Sequence, residues 1–332
     1  MLSRISTIEL MSIELCLNRN INEYLRGKSG LKLFLKYGSD LEYVKNNQND
    51  FIRFFNTNVW SLHVSRWIST NFFESFPLLI HFTQLRRLKY YQETGKPFIL
   101  TDETLEKLKH LTNLRITVLN NGQYVLDPIV NFLSNHNNNT SLKYLLIEGN
   151  IDVPEKSSAT VEKHPIHLKY LFIHGASIES LCWLLPTNSQ IVSLRINTLY
   201  RRSYNPLKLK TNKIDANYLQ IDNINYHYPV FEEIQNLIDN LRNLKKLYID
   251  CGNHQSLVNG NEWAILLNQK GIEIFSLKFT AYRDDWRDAA MSSEKENNII
   301  SNFQNDFWAM DKHAVIKHSR DETGVFSFSV NF

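Results

Sequence analysis

Apolar residues recur along this chain in a short spacing that repeats many times. Residues 85–90, 114–119, 142–147, 168–173 and 244–249 each open on Leu and carry Leu, Ile, Tyr or Thr at the fourth and sixth places. Looser copies begin at Val59, Ile191, Ala216 and Ile274, so that first positions fall 23 to 30 residues apart. A near-constant period of this length marks stacked supersecondary units. Within each unit the first leucine enters the core at a turn, and the fourth and sixth residues point inward from a short strand. The third and fifth then point out, because side chains alternate across a strand.

Between the copies the period changes to that of helices. Thr101 starts one, with Leu105, Leu108 and Leu111 as its buried stripe. Another covers 178–185 and stops at Pro186. Pro229 suits the first turn of a third, with Phe231, Ile234, Leu237, Ile238 and Leu241 on one face. Residues 148–167 and 197–215 are polar or basic, contain Pro154, Pro165 and Pro206, and read as irregular outer segments. In the copy at Leu114 the template turns Ile116 and Val118 outward, whereas simple alternation buries them, so its register stays open. Residues 1–30 read as a helical cap. Residues 293–308 read as a helix with Ile299, Ile300, Phe303 and Phe307 on its face, followed by an extended pair joined at 321–324.

The expected fold is therefore an α/β solenoid over residues 31–292, with a parallel sheet on its concave side, helices and irregular segments on its convex side, and a C-terminal cap over 293–332. The chain's 332 residues, 43% of them hydrophobic, suffice for a long continuous core. A net charge of +3 is too small to imply polyanion binding by itself. Cys16, Cys182 and Cys251 are odd in number and far apart, which suggests neither a disulfide framework nor a zinc site and fits a reducing compartment. Glu9 and Glu14 break the apolar run a signal peptide needs, and no long uncharged apolar stretch follows. A cytoplasmic or nuclear protein that does not enter a membrane is expected.

With that period and those slots, the chain resembles leucine-rich-repeat proteins of the long, helix-bearing class typified by ribonuclease inhibitor and F-box leucine-rich-repeat adaptors. The stretches 259–263, 274–279 and 303–308 also resemble the ends of F-box leucine-rich-repeat proteins. The resemblance implies a protein-binding role, as the substrate-recognition component of a ubiquitin ligase docked to its adaptor, or as a sequestering inhibitor or scaffold. Residues 1–30 lack the LPxE opening of an F-box.

Outward positions of the template carry Arg87, Lys89, Tyr144, Tyr170, Phe172, Arg195, Tyr218, Lys246, Tyr248 and Lys278, and no acid. Aromatic side chains and arginine bury large areas at interfaces, and a basic rim suits an acidic or phosphorylated protein partner. Two other classes remain open. Arg201, Arg202, Lys208, Lys210 and Lys213, among Tyr200 and Tyr204, have the composition of a nucleic-acid-binding loop, although a solvated loop is the plainer reading. Asp284, Asp285 and Asp288 have a spacing that could hold magnesium beside a diphosphate, as in an enzyme. Gly27-Lys28-Ser29 lacks the glycine of a phosphate-binding loop, and His164 and His167 lack further ligands. No GxSxG elbow occurs. The expectation is a non-enzymatic module with no cofactor and no metal.

Overall fold

The computed structural model describes residues 9–10, 31–35, 59–65, 82–93, 108–119, 141–151, 168–184, 191–200, 214–224, 231–281, 292–322 and 325–332. The chain divides into two compact units, Met1–Leu168 and Lys169–Phe332.

In the first unit the strands β1 (Glu9–Leu10), β2 (Leu31–Leu35), β3 (Val59–Val64), β4 (Arg87–Glu93), β5 (Asn113–Leu119) and β6 (Tyr144–Ile151) stack in chain order. Every pair is parallel, as expected where long crossovers join consecutive strands. Register aligns equivalent positions. Leu62, Leu88, Leu114 and Leu145 form one row, and Tyr90, Ile116 and Ile147 form the next. Both rows are buried.

Gly149 interrupts the end of β6 at φ +123°, where a side chain would press on the backbone and Cβ of Val118. Only glycine holds that conformation without strain.

The second unit repeats the arrangement with β7 (Tyr170–Ser177), β8 (Ser193–Tyr200), β10 (Tyr218–Ile221), β12 (Lys246–Asp250) and β13 (Ile274–Ala281), again parallel and in order. Leu171, Leu194, Leu219, Leu247 and Phe275 share a row. Two-residue strands β9 (Ile214–Asp215) and β11 (Leu241–Arg242) pair in a separate ladder. The sheet then reverses: β15 (Phe326–Asn331) runs antiparallel to β13, and β14 (Val315–Arg320) antiparallel to β15, forming the edge. Helices α1 (Ile178–Leu184), α2 (Phe231–Asp239), α3 (Gly260–Lys270) and α4 (Ser293–Asn302) fill the connections.

One backbone device recurs in both units. The carbonyl of the second residue in a repeat accepts the amides of the second and third residues of the next. Arg86 O accepts Thr112 N and Asn113 N at 2.9 and 3.0 Å, and Thr112 O accepts Lys143 N and Tyr144 N at 2.9 and 3.0 Å. Val192 O, Asn217 O and Lys245 O do the same for the repeats after them. These donors would otherwise be orphaned at the turn into the strand, so the staple fixes the stacking register. A largely parallel sheet with few helices, stacked in chain order, is compatible with a repeat solenoid.

The C-terminal core is aromatic. Trp263, Phe275, Phe303, Trp308 and Phe328 are all buried, with Phe303 and Trp308 ring centroids 4.9 Å apart. The indoles still find acceptors, Trp263 donating to Leu257 O at 2.7 Å and Trp308 to Gly260 O at 3.2 Å. Asn259 caps α3 by accepting Asn261 N at 3.1 Å, and Gly271 ends it at φ +61°.

Several expectations change. The copy at Leu114 begins at Leu111: Leu114 lies beside Leu88, and Ile116 and Val118 are buried, so alternation decides the register. Leu108 to Leu111 form a turn into β5, closed by Leu111 N donating to Leu108 O at 2.9 Å, instead of a helix end. The last parallel copy begins at Ile272, two residues before Ile274, which moves Ile274 from the core-entering place to an outward one and keeps Ser276 and Lys278 outward. Glu9 and Leu10 are extended and pair with β2, not helical. Residues 148–151 and 197–200 continue their strands.

The helix expected over 293–308 stops at Asn302. Phe303 turns into the core, and a π-helical turn, Phe307–Asp311, follows. Helices over 178–184 and 231–239 and the terminal hairpin lie where the pattern put them. The sequence motifs around Gly27, His164, Arg201 to Lys213 and Asp284 to Asp288 lie outside the described residues.

Candidate binding faces

The outward rows of each sheet present the polar and aromatic side chains that the inward rows exclude. In the first unit the third place of the repeat carries Ser61, Arg87, Asn113 and Tyr144, and the fifth carries Phe34, His63, Lys89, Arg115 and Leu146. In the second unit the third place carries Tyr170, Ser193, Tyr218, Lys246 and Ile274, and the fifth carries Phe172, Arg195, Gln220, Tyr248 and Ser276. Arg87, Tyr144, Tyr170, Arg195, Lys246 and Lys278 are exposed, and Lys89, Phe172, Tyr218 and Tyr248 half-buried. In the second unit Tyr218 and Tyr248 stand side by side, ring centroids 5.3 Å apart.

A seventh outward place, which the six-residue template omits, carries acids. Strands here run seven or eight residues in several repeats, so side chains two beyond the fifth place again face out. These include Tyr91, Thr117 and Glu148 in the first unit. In the second they include His174, Asp250 and Lys278, with Asp222 following β10. The expectation of a face without acids is therefore corrected.

The acids tie down the arginines. Glu148 pairs with Arg115 and accepts from Thr117 Oγ1 at 2.5 Å. Burial pushes the Glu148 carboxyl up. The hydrogen bonds from Arg115 and Thr117 and the charges of Arg115 and Lys89 outweigh it and hold the group below the ordinary carboxylate range. Asp222 accepts both Nε and Nη2 of Arg195 on one oxygen, at 3.1 and 2.8 Å. Gln220 links Asp222 to Tyr218. Arg195 also lies over the Phe172 ring, 5.4 Å from its centroid.

His63 aligns with Lys89 on the next strand and, through it, with Arg115. Its ring meets Phe34 edge-on at 5.4 Å and stacks on Tyr91 at 6.5 Å. Its Nε2 is buried without a hydrogen-bond partner among the described residues. Desolvation first, then the charges of Lys89 and Arg115, lower its pKa to about 4 against the opposing pull of Glu148. Lys89 is lowered too, by desolvation and Arg115.

Arg87, Lys246 and Lys278 form no ion pair among the described residues. Cys251 is buried, and burial pushes its thiol up, away from thiolate chemistry. Among the described residues no group of His, Cys, Asp or Glu is placed to hold a metal ion, and no helix is long and apolar enough to cross a membrane. Comparison with family models, with characterised proteins and with solved structures finds no match to this chain.

Proposed function

We propose that the protein is a non-enzymatic binding module of the long leucine-rich-repeat type that holds a protein partner on the outward face of its parallel strands. The observation that carries this is the preorganised cluster of Phe172, Arg195, Tyr218 and Tyr248 on adjacent strands. Each side chain in it is braced by its neighbour: guanidinium over ring, ring beside ring, arginine on aspartate. A surface braced in this way loses little side-chain entropy when a partner arrives. Aromatic and arginine side chains at the middle of such a surface supply binding energy out of proportion to their number. In the second unit Asp222 neutralises Arg195, so attraction for an acidic partner there falls to Lys246 and Lys278; in the first unit Glu148 neutralises Arg115 and leaves Arg87.

The test is affinity capture from cell extract with the full chain and with Tyr170→Ala/Tyr218→Ala. The expected result is a partner set lost with the double variant while its thermal unfolding stays within a few degrees of the parent. Retention of the same partners by the variant would overturn the reading. A ligase adaptor among the captured proteins would mark a substrate-recognition role, and a target alone a sequestering one.

A further inference from the structure

Some polar side chains on the outward face bond to one another, as Arg195, Asp222, Gln220 and Tyr218 do, and as Ser276 Oγ does in donating to Asn331 Oδ1 at 2.6 Å. Others, such as Ser193 and Lys246, have no hydrogen-bond or ion-pair partner among the described residues, and one region gathers six of these together. Over β13, β15 and β14 lies a groove of about 650 Å³ whose lining includes Lys278, Thr280, Lys317, Ser319, Ser327 and Ser329. None of these six side chains has a hydrogen-bond or ion-pair partner among the described residues.

Their arrangement follows from the antiparallel register. Lys278 is opposite Ser329, which is opposite Lys317, and Thr280 is opposite Ser327, which is opposite Ser319. Directly opposed residues project to the same side of a sheet, so two rows of three side chains face one space. The two lysine strands are about 10 Å apart, a gap their flexible stems close from both sides. No Asp or Glu lines the groove. The nearest acid in register, Asp250 beside Lys278, accepts Gly252 N at 3.0 Å.

We propose that this groove is the docking site for a phosphorylated side chain of the protein partner, gripped by Lys278 and Lys317 and hydrogen-bonded by the hydroxyls of Ser329 and its neighbours. The proposal rests on the reading of the face as protein-binding and adds the chemistry of one contact. Two ammonium groups match the roughly −1.5 to −2 charge of a phosphorylated residue. Its three acceptor oxygens suit the two adjacent rows of hydroxyl and ammonium donors better than the two oxygens of a carboxylate would. The groove is far larger than one phosphate, leaving room for the flanking residues of an extended segment. Beside it β14 is a sheet edge along which backbone can be added.

The experiment uses the immobilised full chain and degenerate peptide pools with randomised flanks around phosphoserine, phosphothreonine or phosphotyrosine, each beside its unphosphorylated counterpart. At least one phosphorylated pool is expected to be retained over its counterpart and displaced by millimolar inorganic phosphate. Retention should fall by about tenfold or more in Lys278→Met/Lys317→Met, tenfold corresponding to ~1.4 kcal/mol for the two charged contacts together, and by less in Ser329→Val. Tyr170→Ala/Tyr218→Ala should keep phosphopeptide retention. Loss of partner capture in that variant alone tests the broader reading separately. Equal retention of phosphorylated and unphosphorylated pools, or retention indifferent to the lysine substitutions, would overturn the proposal. So would binding to phosphatidylserine vesicles that the phosphorylated pools do not displace.

Discussion

Arg195 on β8 donates from both Nε and Nη2 to a single carboxylate oxygen of Asp222, which lies just past the end of β10. This charge is oriented by the protein before any partner arrives. It is also a solvent-exposed pair, in which Coulomb attraction is largely screened. Asp222→Asn should therefore change folding stability by under about 1 kcal/mol, and a double-mutant cycle with Arg195→Ala should give a coupling no larger. Urea midpoints of the four proteins measure it. A coupling well above that range would mean the network holds the sheet together and does not merely brace the face.

The register of β5 makes a sharper contrast between adjacent residues. Ile116 is fully buried, while Arg115 projects from the face. Ile116→Ala should cost roughly 2–5 kcal/mol through the cavity it leaves, and Arg115→Ala no more than about 1 kcal/mol. Denaturant unfolding of the two variants distinguishes this register from one shifted by a residue, in which the costs would exchange.

His63 confers a pH dependence whose sign follows from its surroundings. In the folded chain its pKa is about 4, against 6.5 for the free side chain. As pH falls, the unfolded chain takes up this proton first. The stability associated with neutral His63 is whole above about pH 6.5 and is lost progressively toward pH 4. His254, lowered by burial against its hydrogen bond to Ile224 O, acts in the same direction. His63→Gln should flatten, but not remove, the decline of the urea midpoint across that interval. An unchanged slope would show that the imidazole between Phe34 and Tyr91 is better solvated than its geometry indicates.

Gly260 opens α3 against the end of α4. A Cβ there would fall on the carbonyl of Asn302. Alanine is the better helix former by about 1 kcal/mol, but driving a methyl into backbone costs roughly 1–3 kcal/mol. It would also disturb the Gly260 carbonyl that accepts the Trp308 indole. Gly260→Ala should therefore lower the melting temperature. A rise would mean that α4 can shift without loss.

Much of the fold was legible in the sequence because a buried row needs an apolar residue at the same place in every repeat, and Leu62, Leu88, Leu145, Leu171, Leu194, Leu219 and Leu247 supply it. The failures have local causes. A six-residue template ends before these strands do, which hid Glu148 and Asp222 from the outward face. At Leu114 the spacing matched the template at a place where the apolar alternation of Leu114, Ile116 and Val118 fits the strand better. Around Phe303, helical spacing persists in the sequence through a point where the backbone turns to seat the ring beside Trp308. The groove beside Lys278 was not legible, since Lys317 and Ser329 reach it only through antiparallel pairing of segments whose partners the sequence does not name.

That reversal of direction at β15 also limits how the molecule can be extended. A further copy of the parallel unit needs a parallel neighbour to receive its staple of two amides, and the terminal hairpin offers none. Additional modules, whether gained by duplication or grafted by design, must be spliced in upstream of Ile272, leaving β13 and the final hairpin, with the lysine each carries, to travel outward as an intact end piece.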